Sequence, residues 1–189
     1  RNWQANGQLD WQQGRLQAEV KLHNSAGLTL TSQLQQSGSG AWQAEVHLEE
    51  MFFRAANPLA DSLADWPELL SLSSGQLSAN ASLSGKPQPL QLDGQLRLVG
   101  GQGIYDRSSF SGLDLPLQIR LRNQQLTLTT QALQLQQLDP GLPMGPLQIA
   151  ADYRARLDAP TQGQLDLQQA ELQLLGGRLW LQPGTIALD

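Results

Sequence analysis

Cysteine is absent from the 189 residues, so no disulfide staples this chain, no thiolate binds a metal and no cysteine acts as a nucleophile. Charge is sparse as well: Asp, Glu, Lys and Arg make up 15% of the sequence, where roughly 25% is usual for a soluble domain. Acidic residues outnumber basic ones 17 to 12, giving a net charge of -5. That balance argues against a nucleic-acid binder, which needs a clustered basic surface. No apolar run approaches the ~18 residues of a membrane-spanning helix, and no signal peptide is evident. Aromatic residues form only 5% of the chain, too few for the aromatic girdles of an outer-membrane barrel.

What the chain has in quantity is alternation. Trp3, Ala5, Gly7, Leu9 and Trp11 are interleaved with Gln4, Asn6, Gln8 and Asp10. The pattern returns in Leu16, Ala18, Val20 and Leu22, in Leu28, Leu30 and Leu34, and in Trp42, Ala44, Val46 and Leu48. It continues through Leu77, Ala79, Ala81 and Leu83, then Leu90, Leu92, Gly94, Leu96 and Leu98. Leu113, Leu115, Leu117, Ile119 and Leu121 follow, then Leu126 and Leu128, Leu147, Ile149, Ala151 and Tyr153, and finally Leu165 and Leu167. Successive side chains of a strand point to opposite faces, so each run predicts a strand with one apolar and one polar side. Leucine is not a strong strand former, and the prediction rests on pattern rather than propensity. Turn residues punctuate the runs at Asn24–Gly27, Ser37–Gly40, Gly85-Lys86-Pro87, Arg122-Asn123-Gln124, Asp139-Pro140-Gly141, Asp158-Ala159-Pro160, Gly176-Gly177 and Pro183-Gly184. Strands at this spacing, with connections too short for parallel crossovers, define an antiparallel meander, sandwich or barrel.

One segment departs from the rhythm. Asn57 can cap a helix opening at Pro58, with Leu59, Leu63, Trp66 and Leu70 along one face and Pro67 as an interruption. Residues 51–70 are therefore expected to form a short amphipathic helical insertion that packs on the sheet or plugs one end of it. The chain also echoes itself: GQLDWQQGRL at 7–16 resembles GQLDLQQAEL at 163–172. A repeated hairpin unit stacking along an axis is the favoured explanation, with compositional coincidence as the alternative.

Motifs for chemistry are few. Gly101-Gln102-Gly103 looks like a phosphate-binding loop, but the following residues, 108–121, read as turn and strand rather than helix, so turn or bulge geometry explains it better. The two histidines, His23 and His47, fall on the polar side of their runs and lack companion ligands, though they could be neighbours on adjacent strands. Asp93, Asp106, Asp114, Asp139 and Asp152 are scattered, and no two stand out as a glycosidase acid pair. No Gly-x-Ser-x-Gly element is present to form a nucleophile elbow. The expectation is a protein that is not an enzyme, with no catalytic residue, no metal and no cofactor.

The apolar face then becomes the question. Burying a leucine is worth roughly 1.5–3 kcal/mol, so a row of them cannot be left in water without a partner. One short helix cannot cover a sheet of about a dozen strands. A two-layer sandwich, a closed barrel, or a trough holding apolar ligands would each solve the problem, and periodicity does not choose among them.

Residues Gly100-Gly101-Gln102-Gly103-Ile104-Tyr105-Asp106, Ser109-Phe110-Ser111-Gly112-Leu113, Asp139-Pro140-Gly141-Leu142-Pro143 and Gly163-Gln164-Leu165-Asp166-Leu167, running on to Leu174-Leu175-Gly176-Gly177, resemble the YdbH family, among the AsmA-like and TamB-like proteins of the Gram-negative envelope. The similarity covers roughly residues 75–189. It implies an all-β fold: a long antiparallel meander curled into a U-shaped open groove, with one short helical insertion. It further implies that phospholipids are conducted between inner and outer membranes along that groove. The chain is then expected to be one β-groove domain, 1–189, cut from a longer protein, with a first β stretch at 1–50, the helical insertion at 51–70 and a second β stretch at 71–189. The expected lipid-contacting side chains are Leu77, Leu83, Leu90, Leu92, Leu96, Leu98, Leu113, Leu115, Leu117, Ile119, Leu121, Leu147, Ile149, Leu165 and Leu167. The implied setting is the periplasm, with the full-length protein anchored in the inner membrane. Its partners would be an acyl-chain lipid, the rest of its own chain and a small outer-membrane lipoprotein. A structural or adhesive β-sandwich with a fully buried apolar face is the competing expectation, and a carbohydrate-active β enzyme ranks third.

Overall fold

The computed structural model describes residues 2–54, 57–63, 66–86 and 89–188. Twelve strands run in chain order: β1 (Trp3–Gln12), β2 (Arg15–Asn24), β3 (Thr29–Gln36), β4 (Trp42–Arg54), β5 (Leu70–Gly85), β6 (Gln91–Tyr105), β7 (Ser108–Arg122), β8 (Gln125–Asp139), β9 (Leu147–Arg156), β10 (Ala159–Leu174), β11 (Gly177–Leu181) and β12 (Gly184–Leu188), with helix α1 (Pro58–Ser62) between β4 and β5. Each strand from β1 to β11 pairs antiparallel with its predecessor in one sheet, and β12 pairs with β10. The sheet is not closed: β1 pairs only with β2, and β11 and β12 pair only with β10. At about 4.8 Å per strand it is roughly 50 Å across.

Short hairpins enforce this order. Gln13-Gly14, Asn123-Gln124 and Leu175-Gly176 all have positive φ at both positions, the two-residue geometry whose twist matches that of the flanking strands. At the β2–β3 turn the Asn24 carboxamide takes over the backbone's hydrogen bonds. Its Oδ1 accepts from the amides of Ala26 and Leu28 at 3.0 and 2.9 Å.

The period-two pattern survives several irregularities through a shared device. In β4 the apolar residues shift from even positions (Val46, Leu48) to odd ones (Met51, Phe53) across a register break. β6 changes from Leu96 and Leu98 to Gly101 and Gly103, β8 from Leu126 and Leu128 to Leu133 and Leu135, and β10 from Leu165 and Leu167 to Ala170 and Leu172. Each extra residue of a bulge reverses the alternation, so the parity switch keeps the apolar side chains on one face. The breaks stand opposite one another from β4 to β10. Bulged strands bend, so aligned bulges crease the sheet along a line crossing its strands. At this crease β5 and β6 approach so closely that a Cβ on Gly103 would lie 2.0 Å from the Ser71 carbonyl oxygen. Only glycine fits there.

The tight core lies at one end of the central strands. Leu28, Leu48, Met51, Phe53, Leu72, Leu77 and Leu98 are buried together, and Leu59 and Trp66 pack against them. α1 is tied to this core through a buried hydrogen bond from Asn24 Nδ2 to Ser62 Oγ at 2.6 Å. The helix is much shorter than the expected 51–70 insertion. Asn57 and Pro58 act as foreseen, with Asn57 Oδ1 accepting from the Ala60 amide, but the helix ends at Ser62 and Leu63 is already extended. Met51–Arg54 instead completes β4, and Leu70 opens β5. Bulky Met51, Phe52 and Phe53 suit a pleated surface, and Pro67 disfavours helical backbone at Trp66.

The self-echo has a different basis from the expected hairpin repeat. Residues 7–16 form the end of β1, a turn and the start of β2, whereas 163–172 lie within the single strand β10. Gly14 allows the first copy to turn, while Ala170 at the matching position continues the strand.

Candidate functional site

Cross-strand register assembles the alternating residues into rows. One apolar row passes from Leu9 through Ala18, Leu34, Ala44, Leu83, Leu92, Leu121, Leu126 and Ala155 to Gly163 and Leu188. A neighbouring row includes Val46, Ala81, Gly94, Ile119, Leu128, Tyr153, Leu165 and Ile186. The opposite face reads Gln8, Glu19, Gln33, Glu45, Ser82, Asp93, Arg120, Thr127, Arg154 and Gln164 across the same strands. Directly paired residues share a face, so the sheet has one apolar and one polar surface from edge to edge.

That apolar surface is incompletely covered. The chain exposes 12,363 Å², whereas a compact protein of its 20.6 kDa would expose roughly 8,900 Å². The excess is that of a sheet lacking a second layer, which removes the sandwich reading. Among the described residues, only α1 and its flanks lie against the sheet as non-strand packing, and they do so at the core end.

The fifteen expected contact residues divide into three groups. Leu77, Leu98 and Leu121 are buried. Leu83, Leu92, Leu96, Leu113, Leu115, Leu117, Ile119, Leu147, Ile149, Leu165 and Leu167 are half-buried within strands. Leu90 precedes β6 and is 41% exposed, so it is not part of the sheet. The rows bring Leu83, Leu92 and Leu121 together, and likewise Ile119 and Leu165. They also continue into β1–β4 through Leu9, Leu34, Val46 and Leu48. Those positions carry the same alternation and could have joined the expected set on that signal. Phe110 faces Gly103 and packs on the core, whereas Tyr105 ends β6 in an exposed position. The buried hydroxyl of Thr130 has no hydrogen-bond partner.

His23 and His47 are exposed and separated by β3: His23 faces Thr29, and His47 faces Thr31. Gly101–Tyr105 lies inside β6, with irregular pairing at Gly101 and Gly103, consistent with bulge geometry rather than a nucleotide loop. The concavities are also informative. One of about 340 Å³ opens on the polar side, bounded by Glu45, Ser82, Asp93, Arg120 and Thr127. A larger one, about 520 Å³, lies at the strand ends remote from α1.

Ion pairs organise the polar face. Asp93 is held by Arg122 and, at 3.4 Å, by Arg120; the Arg122 hydrogen bond chiefly lowers its pKa from the ordinary 3.8. Asp166 accepts from Gln164 at 2.8 Å, Thr185 at 2.7 Å and Arg154 at 2.6 Å, and its pKa is lowered first by Gln164, then by Thr185. The hydrogen bond from Arg156 lowers that of Asp158. Carboxylates whose folded pKa is depressed contribute stability above their unfolded pKa and lose it as pH falls through the folded value. Urea midpoints should therefore be insensitive to these groups above about pH 5 and decline below about pH 4. A midpoint that rises on acidification through this range would contradict the ion-pair assignments.

The geometry defines a class: open, single-layer β-meander proteins whose apolar face crosses the whole sheet. Within that class the sequence is specific. The model of the YdbH-like family, described as "Intermembrane phospholipid transport protein YdbH", matches residues 1–189, and the chain belongs to this family. The match takes in the first half, beyond the 75–189 region where the resemblance was legible. No curated protein and no solved structure matches the chain. Membership associates the chain with intermembrane phospholipid transport, and with the cell envelope in which such transport takes place.

Proposed function

We infer that this chain is a lipid-carrying segment of an envelope-spanning protein, in which phospholipid acyl chains travel along an apolar β-groove between inner and outer membranes. The observation that carries the reading is the uncovered apolar face, continuous in register from β1 to β12. Apolar attraction is non-directional and scales with area, so a uniform leucine surface lets a chain slide without a deep binding minimum. Aligned bulges supply the curvature that would turn the sheet into a trough around its cargo. The fifteen leucine and isoleucine positions act collectively, with Leu90 the weakest member because it stands outside the strands.

In this reading the protein performs no catalysis, resides in the periplasm and is anchored in the inner membrane through the rest of its own chain. A small outer-membrane lipoprotein receives the far end. The division into β stretches at 1–50 and 71–189 about an insertion at 51–70 is retained as an organisational proposal, with α1 as the rim element between them. Native mass spectrometry of the chain isolated from bacterial membranes should show adducts with phospholipid masses. Reproducibly lipid-free protein under conditions that preserve the fold would overturn the reading.

A further inference from the structure

The cavity of about 520 Å³ lies where β2 to β6 end, on the side away from α1. Arg15 and Lys86 both line it, together with Gln35, Gln36, Trp42 and Ser84, and its lining contains no carboxylate. That composition stands out in a chain where acids outnumber bases. Among the described residues neither cation forms an ion pair, whereas Lys21, Arg120, Arg122, Arg154, Arg156 and Arg178 all do. The cavity therefore presents two uncompensated positive charges and several amide and hydroxyl groups, the donor set that suits a phosphate.

Its other boundary is apolar. The Trp42 indole lies across Gly85, close enough that a Cβ there would be 2.8 Å from the ring. Trp42 shares its face with Ala44, two residues along β4, and Ala44 faces Leu83, which faces Leu92. The cavity thus meets the end of an apolar row at an aromatic side chain, a residue type suited to a junction between wet and apolar surroundings.

We propose that this cavity seats the phosphate-bearing headgroup of a lipid whose acyl chains pass Trp42 onto the Leu83–Leu92 row. The inference rests on the lipid-carrying reading and adds a polarity to it: headgroups ride at the rim remote from α1, and acyl chains lie on the sheet face. Arg15 and Lys86 neutralise the phosphate, and Trp42 separates it from the leucines. Free inorganic phosphate shares the recognition chemistry but has no use for the apolar row.

The test compares the full 189-residue chain with the Arg15→Gln/Lys86→Gln double variant. Binding of acyl-labelled phosphatidylglycerol and of diacylglycerol with the same acyl chains is followed by fluorescence anisotropy. The double variant should bind phosphatidylglycerol about tenfold more weakly, the loss expected when charge-assisted hydrogen bonds disappear, and diacylglycerol unchanged. The Arg15→Lys/Lys86→Arg exchange should restore phosphatidylglycerol binding, and Arg107→Gln/Arg178→Gln, with the same charge change elsewhere, should leave it intact. Equal phosphatidylglycerol binding by the parent and the double variant would overturn the headgroup site while leaving lipid carriage standing. Equal weakening by the Arg107/Arg178 variant would reduce the effect to general electrostatics and also overturn it. Phosphate binding that depends on Arg15 and Lys86, with no preference for phosphatidylglycerol over diacylglycerol, would refute the lipid assignment. Failure of the parent chain to bind either lipid would sink both readings.

Discussion

Ile119→Asp is expected to weaken acyl-lipid binding by tenfold or more, while Gln118→Asp one position away leaves it within about twofold. The two residues are adjacent in β7 and point to opposite faces. Ile119 stands between Gly94 and Leu128 on the apolar side, and Gln118 between Gln95 and Thr129 on the polar side. A carboxylate among leucines must keep its hydration, and an alkyl chain laid over it would strip that water away. The same charge at Gln118 remains solvated whether or not lipid is bound. Leu115→Asp provides a second test on the same face and should behave like Ile119→Asp. Thermal unfolding of each variant separates lost binding from lost folding. Equal losses of binding by folded Ile119→Asp and Gln118→Asp proteins would remove the basis for lipid carriage on the apolar face.

The second large effect concerns stability. Phe53→Ala should cost about 3–5 kcal/mol, the range for emptying a phenylalanine site in a packed core. Phe53 is 2% exposed within the cluster formed by Leu28, Met51, Leu72 and Leu98. Its neighbour Phe52 is 46% exposed, with the Arg54 guanidinium 5.1 Å from its ring centroid. Phe52→Ala should cost no more than about 1 kcal/mol, the worth of an exposed cation–π contact. Urea unfolding of both variants measures the contrast. Similar midpoints would mean that the core end is not the stability centre of the sheet. Because the remaining apolar rows are only half-buried, this one cluster carries much of the packing, and the same argument leaves those rows available to cargo.

Much of this architecture is written in local pattern. Strand positions follow from alternation because the pleat itself has a period of two, and the two-residue turn at Asn123-Gln124 is announced by its own residues. Asn57 and Pro58 mark the helix start in the same direct way. The bulges are partly legible too: Leu48 to Met51 and Leu98 to Gly101 break parity in the sequence. Their alignment into a crease is not, since it depends on how neighbouring strands register. The extent of α1 was overestimated because an apolar spacing such as Leu59, Leu63, Trp66 and Leu70 is shared by a helix and by a chain that leaves a helix to enter a strand.

The candidate sites divide along the same line. Alternation alone marked the leucines of the apolar face, and it would have marked those of β1–β4 as well. Arg15 and Lys86 lie 71 positions apart in the sequence, and Trp42 belongs to another strand. Nothing local associates them until β2 to β6 bring their ends to one cavity. What the sequence alone determined is therefore the strands, their turns and the two-faced chemistry of each, all set by interactions between near neighbours. What only the tertiary structure decided is that the strands form one open layer rather than two, and that α1 covers one end while cationic residues gather at the other. Those outcomes depend on contacts between distant segments, where the free energy of burial is shared across the sheet rather than encoded in any one strand.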